Sequence, residues 1–306
     1  MGTVVLSVDA ELAWGFHDME SPPEDRIAVS RDAWNWLLTE LEYWNIPATW
    51  AVVGHLFLNE CRAEHNLRTA PNNWFMNDPG GTWQENSLWY APDLIEAIQE
   101  SKVDHEIGCH SFSHIPLNHP DITADMFADE LATWCEIADT WNISPSSFVY
   151  PRNVIGFRPL LASYGFKGYR GRTPLPWWLN GTLQPVTKVA SLYRSGAAAP
   201  VVKPSVDRYG LVNVPASLYL FGFEGPFATA VEQLTADPIV CAAKRGIEEV
   251  AAGTGVFHLW MHPNNLISVR ERNRLRTIFA HLDSVRNDDD INIAPMKEVI
   301  SQYGET

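Results

Sequence analysis

The chain is poor in basic residues and in long apolar runs, and each shortage excludes a class of protein. Lysine and arginine together number 22 against 37 aspartate and glutamate residues, which leaves a formal net charge of −15. Such a field repels nucleic acid and anionic membrane surfaces, so neither is an expected partner. No apolar run approaches the roughly 20 residues that a membrane-spanning helix needs. The first residues also lack the basic and apolar segments of a signal peptide, and we therefore expect a cytoplasmic location.

Cysteine is also scarce, with four residues that are scattered along the chain and have no C-x-x-C spacing. This excludes a dense disulfide framework, and we expect reduced, mostly buried thiols. We assign no cysteine to a metal. Apolar residues, in contrast, make up 46% of the 306 residues and include 13 tryptophans, enough to fill a sizeable core.

Patterns typical of strands and helices alternate along most of the chain. Apolar segments with the composition of buried strands lie at 3–8, 48–54, 103–109 and 255–263. Between them the apolar residues follow the helical period, for example over 33–44. This alternation favours a parallel sheet and one barrel-like α/β domain over 1–306. Two stretches, 59–91 and 173–206, break the pattern and are predicted to be irregular insertions.

Side chains suited to a metal centre follow three of these strands. Asp9 and Glu11 come after the first strand, and His262 ends the last. His110 and His114 follow the third, and their spacing of four places them on one face if the segment turns into a helix. The carboxyl ends of parallel strands form the functional rim of α/β proteins. Two imidazoles with one carboxylate and an open position form a hydrolytic zinc site, although cobalt, nickel, manganese or iron also fit.

Five segments together resemble the polysaccharide deacetylase, or NodB-homology, family. The most specific runs from His105 to His114, reads H-E-I-G-C-H-S-F-S-H and closely matches H-E-I-G-x-H-[ST]-x-x-H. Residues 7–11 resemble the T-F-D-D motif in a D-x-E variant, and residues 47–54 resemble A-T-F-F-V-x-G. Residues 148–151 stand at the place of F-R-P-P-Y, and residues 259–262 fit the closing strand that ends in histidine.

The resemblance implies an incomplete or distorted (β/α)7 barrel with one divalent metal ion, zinc being the expected one. It further implies hydrolysis of an N-acyl group, acetyl or formyl, from an amino-sugar substrate. Carried over residue by residue, Glu11, His110 and His114 would be the metal ligands. Asp9 would be the general base and His262 the general acid. The chemistry agrees, because an amide needs a polarised carbonyl and its amine needs a proton to leave.

Three departures from the family pattern concern the groups around these residues. Glu11 stands where the family has aspartate, so Asp9 and Glu11 could exchange roles. Val149 stands where the family has the arginine that steadies the base. We take Arg152 as the candidate replacement, with Arg170 as the alternative. No D-x-x-D-W segment is present, so the partner of the acid histidine is unidentified.

Several alternatives stay open at the level of the sequence. His258 shares a strand face with His262 and could be the acid instead, although its deeper position is typical of a core histidine. His17 and Asp18 could line the rim. For function, the altered arginine motif leaves room for a metal-independent ring-amide hydrolase of the same fold. A third possibility is a carbohydrate-binding protein without catalysis, against which the presence of the whole predicted site argues.

Overall fold

The computed structural model describes residues 1–65, 70–174, 199–222, 236–288 and 291–304. The strands in these residues are β1 (Gly2–Ala10), β2 (Thr49–Val52), β3 (Glu60–Cys61), β4 (Gly81–Thr82), β5 (Glu106–Cys109), β6 (Ser147–Phe148), β7 (Gly168–Gly171), β8 (Ser205–Val206), β9 (Val212–Pro215), β10 (Leu218–Tyr219), β11 (Gly255–Met261) and β12 (Ile291–Ile293). The α-helices are α1 (Glu24–Tyr43), α2 (Pro92–Gln99), α3 (Ala124–Thr140), α4 (Arg158–Ser163), α5 (Pro238–Ala251), α6 (Val269–Asp288) and α7 (Met296–Gly304).

The main sheet has the strand order β10-β11-β1-β2-β5-β6-β7-β9-β8, and β12 pairs in addition with the start of β1. The neighbours from β10 to β9 run parallel, whereas β8 is antiparallel to β9. Within this order β1 lies between β11 and β2, and its Ser7 is opposite Trp260 on one side and Thr49 on the other. The sheet is curled and open like half of a barrel, and the predicted incomplete (β/α)7 barrel is confirmed.

Alternate residues of β1 face two environments, as the period of two in a strand requires. Val4 and Val8 belong to the large core between the sheet and its helices. Val5 belongs to a smaller cluster on the concave side, where residues of α7 close one end of the half-barrel. Ser7 and Asp9 share the face of Val5, so Asp9 reaches the concave side at the carboxyl end of the strand.

The helices cover the convex side of the sheet with apolar and aromatic side chains. In α1, the buried residues Trp34, Leu37 and Leu41 follow the helical period. Trp34 stacks on Trp50 of β2, with ring centroids 5.1 Å apart. Replacing a packed tryptophan of this kind by alanine typically costs about 3–5 kcal/mol, so such pairs hold helix and sheet in a fixed relation.

The first predicted insertion, 59–91, is described apart from residues 66–69. It contains the small antiparallel pair of β3 and β4. Trp74 packs on Ile115 and donates from Nε1 to the carbonyl oxygen of Ser113, which ties the insertion to the segment after β5. Of the second insertion, 173–206, residues 175–198 lie outside the described residues. That 1–306 form a single domain stays a prediction. No helix in the described part of the chain is long and apolar enough to cross a membrane.

Candidate active site

The carboxyl ends of β1, β5 and β11 meet at one end of the half-barrel, where a cleft of about 250 Å³ opens. The six residues predicted for the site all line this cleft: Asp9, Glu11, His110, His114, Arg152 and His262. They come from parts of the chain that are far apart in sequence. Their convergence follows from the parallel sheet, which brings the ends of its strands to one edge.

Asp9 is held by an arginine that reaches it from β7. Arg170 donates to both carboxylate oxygens, with Nη1 2.5 Å from Oδ1 and Nη2 2.7 Å from Oδ2. The guanidinium also donates to Ser7 and Asn153, and its Cζ lies 4.4 Å from the ring centroid of Trp260. Burial by itself would raise the pKa of Asp9. The charge and hydrogen bonds of Arg170 outweigh it, so the pKa is lowered and the carboxylate is ionised at neutral pH.

Glu11 follows β1 directly and turns its carboxylate toward two imidazoles. Its Oε2 lies 3.1 Å from His114 Nε2 and 3.7 Å from His110 Nε2. Its Oε1 accepts a hydrogen bond from the amide of Asn264 at 3.1 Å. Burial by itself would raise the pKa of Glu11. Nearby histidines, above all His262, lower it by more, so the pKa is well below its usual range. The three donor atoms lie within 4.8 Å of one another, which is within reach of one metal ion.

The orientation of His110 leaves one ring nitrogen without a hydrogen bond to the part of the protein that the structure describes. Its Nδ1 lies 2.8 Å from the carbonyl oxygen of Val149. A carbonyl only accepts, so Nδ1 carries the proton and Nε2 presents a lone pair. This Nε2 is buried and has no hydrogen-bond partner in the described ranges of the chain, a rare condition for a polar atom. A backbone carbonyl on the second nitrogen is the usual support of a metal-binding histidine, so the donor set fits a metal ion.

The loop between the two histidines is fixed by a buried carboxylate on α3. Glu130 accepts from the backbone N–H groups of Phe112 and Ser113 at 2.9 and 2.8 Å, and from Ser113 Oγ at 2.6 Å. Burial raises the pKa of Glu130 to about 7 despite these hydrogen bonds. Ser111 and His114 have positive φ angles of 58° and 60°. Glu130 therefore stabilises a strained loop, a feature that clusters at functional sites.

His262 closes the opposite side of the cleft. Its Nε2 lies 3.6 Å from Asp9 Oδ2 and 3.7 Å from Glu11 Oε1. Behind the ring, the hydroxyl of Tyr219 lies 3.3 Å from Nδ1 and 2.8 Å from the side-chain amide of Asn265. Tyr219 thus occupies the place behind the histidine for which the sequence offered no acidic partner. Sequence analysis missed it because β10 has only two residues and no motif.

Arg152 lies at the mouth of the cleft rather than beside the predicted base. Its Nη2 is 2.5 Å from Asp18 Oδ1, and 43% of its side chain is exposed. The arginine that contacts Asp9 is Arg170, the alternative position.

The other histidines considered for the site do not line the cleft. His258 is fully buried below it, with Nε2 2.9 Å from Ser7 Oγ. Burial lowers the pKa of His258 to about 3, so the ring is neutral, as a core histidine should be. His17 is also buried, and its Nδ1 lies 2.7 Å from the carbonyl oxygen of Trp14.

No family model and no curated relative matches this chain. Solved structures are similar to it over nearly its full length. A candidate polysaccharide deacetylase from Mycobacterium smegmatis has a TM-score of 0.62 and 17% identity over 98% of this chain and 89% of that one. One from Pseudomonas aeruginosa has a TM-score of 0.62 and 12% identity, covering 99% and 91% of the two chains. An allantoinase has a TM-score of 0.61 and 11% identity, covering 99% and 90%.

Identities this low show a shared fold, and the site has to decide the reaction. The resemblance to polysaccharide deacetylases that the motifs indicate is confirmed at the level of the fold.

Proposed function

We propose that the protein is a metal-dependent hydrolase that removes an N-acetyl or N-formyl group from an amino-sugar substrate. The observation that carries the proposal is the convergence of three kinds of group in one cleft. These are a carboxylate held by an arginine, a buried carboxylate with two imidazoles, and a further imidazole on the opposite side. Amide hydrolysis needs a base, an electrophile and an acid in this arrangement.

Glu11, His110 and His114 would hold the metal ion. The lone pair on His110 Nε2, which accepts no hydrogen bond from any described residue, is the feature that supports this role. When bound, a divalent ion polarises an acyl carbonyl and lowers the pKa of a coordinated water. Zinc is the expected ion because two imidazoles and a carboxylate leave a position open, as in hydrolytic zinc sites.

Asp9 would act as the general base. Its lowered pKa keeps the carboxylate ionised, and the paired hydrogen bonds from Arg170 fix its orientation. As the oxygen of a water molecule bonds to the acyl carbon, Asp9 takes up a proton of that water. Fixing the carboxylate by Arg170 favours catalysis because the geometry exists before the substrate arrives.

His262 would act as the general acid. When the bond between the acyl carbon and the nitrogen breaks, the nitrogen must receive a proton, since an amine anion is a poor leaving group. His262 Nε2 faces Asp9 and Glu11 across the cleft, and Tyr219 steadies Nδ1 from behind. The products are a carboxylic acid, which ionises at neutral pH, and a free amine. The proton that Asp9 takes from the water offsets the one that His262 gives to the nitrogen, so the step balances with the addition of one water.

The walls of the cleft suit a sugar ring. Trp260 lines it and stacks with Tyr219, with ring centroids 4.3 Å apart, and Phe16 lines it as well. Aromatic walls with a few polar groups are typical of small-molecule sites. We propose that Arg152, partly exposed at the mouth, contacts substrate hydroxyl or anionic groups. The cytoplasmic location expected from the sequence stays a prediction.

A metal-independent ring-amide hydrolase remains the second candidate. The observation in its favour is the shared fold with an allantoinase. In that case the reaction would depend on Asp9 and His262 and would not need an ion at Glu11, His110 and His114. Chelation separates the two candidates, because it abolishes the first activity and leaves the second.

A product-release assay tests the proposal. Zinc-loaded protein is incubated with N-acetyl and N-formyl amino sugars, as monosaccharides, as nucleotide-linked sugars and as oligosaccharides, and the released acetate or formate is measured. We expect release by the wild type and a loss of roughly 10²–10⁴-fold in Asp9→Asn, the range for a general base. Asp104→Asn is the matched control, since Asp104 is exposed and pairs with Lys297 outside the cleft. No release from any of these sugars by zinc-loaded protein would refute the proposal.

A further inference from the structure

A second group of metal-binding side chains lies outside the cleft, where the 59–91 insertion meets the end of β2. It consists of His55, Cys61, His65 and Asp78, which we call the insertion cluster. Their donor atoms lie within 4.8 Å of one another. We propose that the insertion cluster binds one structural zinc ion.

The separations between the donor atoms approach those of a tetrahedral zinc site. Asp78 Oδ2 lies 3.4 Å from Cys61 Sγ and 3.9 Å from His55 Nε2, and Cys61 Sγ lies 3.6 Å from His65 Nε2. Ligand atoms around zinc are roughly 3.3–3.7 Å apart, given bond lengths of about 2.0–2.3 Å. The fourth contact, His65 Nε2 to Asp78 Oδ2, is a hydrogen bond of 2.5 Å, which an ion would replace and widen.

His55 provides the independent sign that a cation belongs here. It is fully buried, and its Nδ1 lies 3.1 Å from the carbonyl oxygen of Phe112, so Nδ1 carries the proton. Its Nε2 presents a lone pair toward the Asp78 carboxylate and has no hydrogen-bond partner among the residues that the structure describes. Two electron-pair donors that face each other in a buried site are unfavourable unless a positive group lies between them. A proton on His65 forms a hydrogen bond to Asp78 but leaves His55 Nε2 without a partner. A metal ion, in contrast, would be bound by all four side chains of the cluster.

Neighbouring groups orient the donors. Asp78 Oδ1 accepts from the hydroxyl of Tyr90 and from the backbone N–H of Gly80 at 3.1 Å, which leaves Oδ2 for the cluster. The backbone N–H of Ala63 donates to Cys61 Sγ at 3.4 Å, a contact that stabilises a thiolate. Such support is typical of metal ligands. One thiolate and one carboxylate also neutralise the charge of a divalent ion.

Aromatic rings pack against the two imidazoles of the cluster. His55 stacks on Trp14, and its ring centroid is also 4.0 Å from that of Phe112. His65 stacks on Phe75, with centroids 3.9 Å apart. Four protein donors in a closed setting characterise structural zinc, whereas the cleft offers three donors and an open side.

The position of the cluster indicates what the ion would do. Trp14 lies in the turn after Glu11, and Phe112 lies in the loop between the two cleft histidines. Both rings pack against His55. An ion that joins His55 to the insertion would therefore hold the insertion against the residues that support the cleft.

Cobalt substitution tests the proposal on the full chain, purified without a His-tag. Cobalt replaces zinc in such sites, and a thiolate ligand adds a charge-transfer absorption that imidazole and carboxylate ligands do not give. We expect this band in the wild type and in His110→Ala/His114→Ala, where the cleft site is lost. We expect its loss in Cys61→Ser and its retention in Cys241→Ser, the matched control on α5.

Zinc content measured by elemental analysis gives a second readout. The wild type should hold about two equivalents, and Cys61→Ser and the double histidine variant about one each. If Cys61→Ser fails to fold, His65→Gln takes its place with the same expectation. A cobalt-loaded wild type without the band, or a band that survives Cys61→Ser, would overturn the proposal. One equivalent of zinc in the wild type and none in the double histidine variant would also overturn it. That result would leave the proposed metal site in the cleft standing.

Discussion

Gly15 lies against the Glu11 carboxylate in the turn after β1. A Cβ atom built on Gly15 would lie 2.2 Å from Oε1 and 2.3 Å from Cδ of Glu11, well inside the ordinary contact distance of about 3.5 Å. Gly15 has no positive φ, so alanine conflicts with the Glu11 side chain and not with the backbone. We predict that Gly15→Ala displaces the Glu11 carboxylate and weakens metal binding, although every proposed donor is still present.

The size of the effect follows from the distances. Relief of these contacts requires the carboxylate to move by about 1 Å, which exceeds the roughly 0.2 Å that metal–ligand bond lengths tolerate. Changes beside a metal ligand typically lower metal affinity by about 10–100-fold, and we expect a loss near the upper end. Stability of the fold should change little, because the group that moves is the end of a flexible side chain.

Competition with a chromophoric chelator measures this loss. The titrations are done in the Cys61→Ser background, so that only the cleft site contributes. Gly253→Ala is the matched control, since its Cβ would meet nothing closer than the carbonyl oxygen of Glu249 at 3.4 Å. Zinc affinity equal to that of the parent in Gly15→Ala would show that Glu11 is not a ligand and would refute the reasoning.

Three further substitutions test the groups around the donors. Arg170→Lys keeps a charge but loses the paired hydrogen bonds to Asp9, so the pKa of Asp9 should rise and the acidic limb of the kcat/KM profile should move to higher pH. The folded state keeps a proton on Glu130 that the unfolded state releases near pH 4.5, so the contribution of Glu130 to the free energy of unfolding should fall by about 3 kcal/mol as pH rises from about 4.5 to about 7. In urea unfolding, the difference in stability between the wild type and Glu130→Gln should therefore change by this amount over that pH range. Tyr219→Phe removes the hydroxyl behind His262 and should lower kcat by roughly tenfold or more, with little change in KM.

The fold could be predicted because buried positions repeat with the period of a helix or a strand, and the apolar residues of the sequence show this repeat. The apolar strands and the helical patterns between them correspond to observed elements, with shifts of a few residues at their ends. The largest shift is in α1, which begins at Glu24 although the apolar period becomes clear only at Ala33. The residues before Ala33 in this helix are exposed or half-buried apart from Ser30, so they carry no apolar period that could mark its start.

The proposed donors could be located because each follows a strand. Their supporting groups could not be placed in this way: Arg170 was only the alternative to Arg152, and Tyr219 was not predicted. Arg170 is on the concave face because its neighbour Tyr169 packs in the core on the convex side. Its pairing with Asp9 depends on the curvature of the sheet, since β7 is separated from β1 by three other strands. Tyr219 depends in the same way on a short edge strand that carries no pattern.

The insertion cluster shows a different limit. Its donors lie in an irregular segment without a period, and the scattered cysteines gave no reason to assign one to a metal. The proposal reverses that expectation for Cys61. The signal available in the sequence is the C-x-x-x-H spacing of Cys61 and His65, which becomes informative only when the fold brings His55 and Asp78 beside them.

The most direct test of the account is the dependence of N-acyl amino-sugar hydrolysis on an ion at Glu11, His110 and His114. Metal-free protein is titrated with zinc while acetate or formate release is followed, in the wild type and in His110→Ala/His114→Ala. The account predicts no release without metal, recovery on addition of zinc to the wild type, and no recovery in the double variant. Full activity in metal-free wild type, or zinc-restored activity in the double variant, would contradict it.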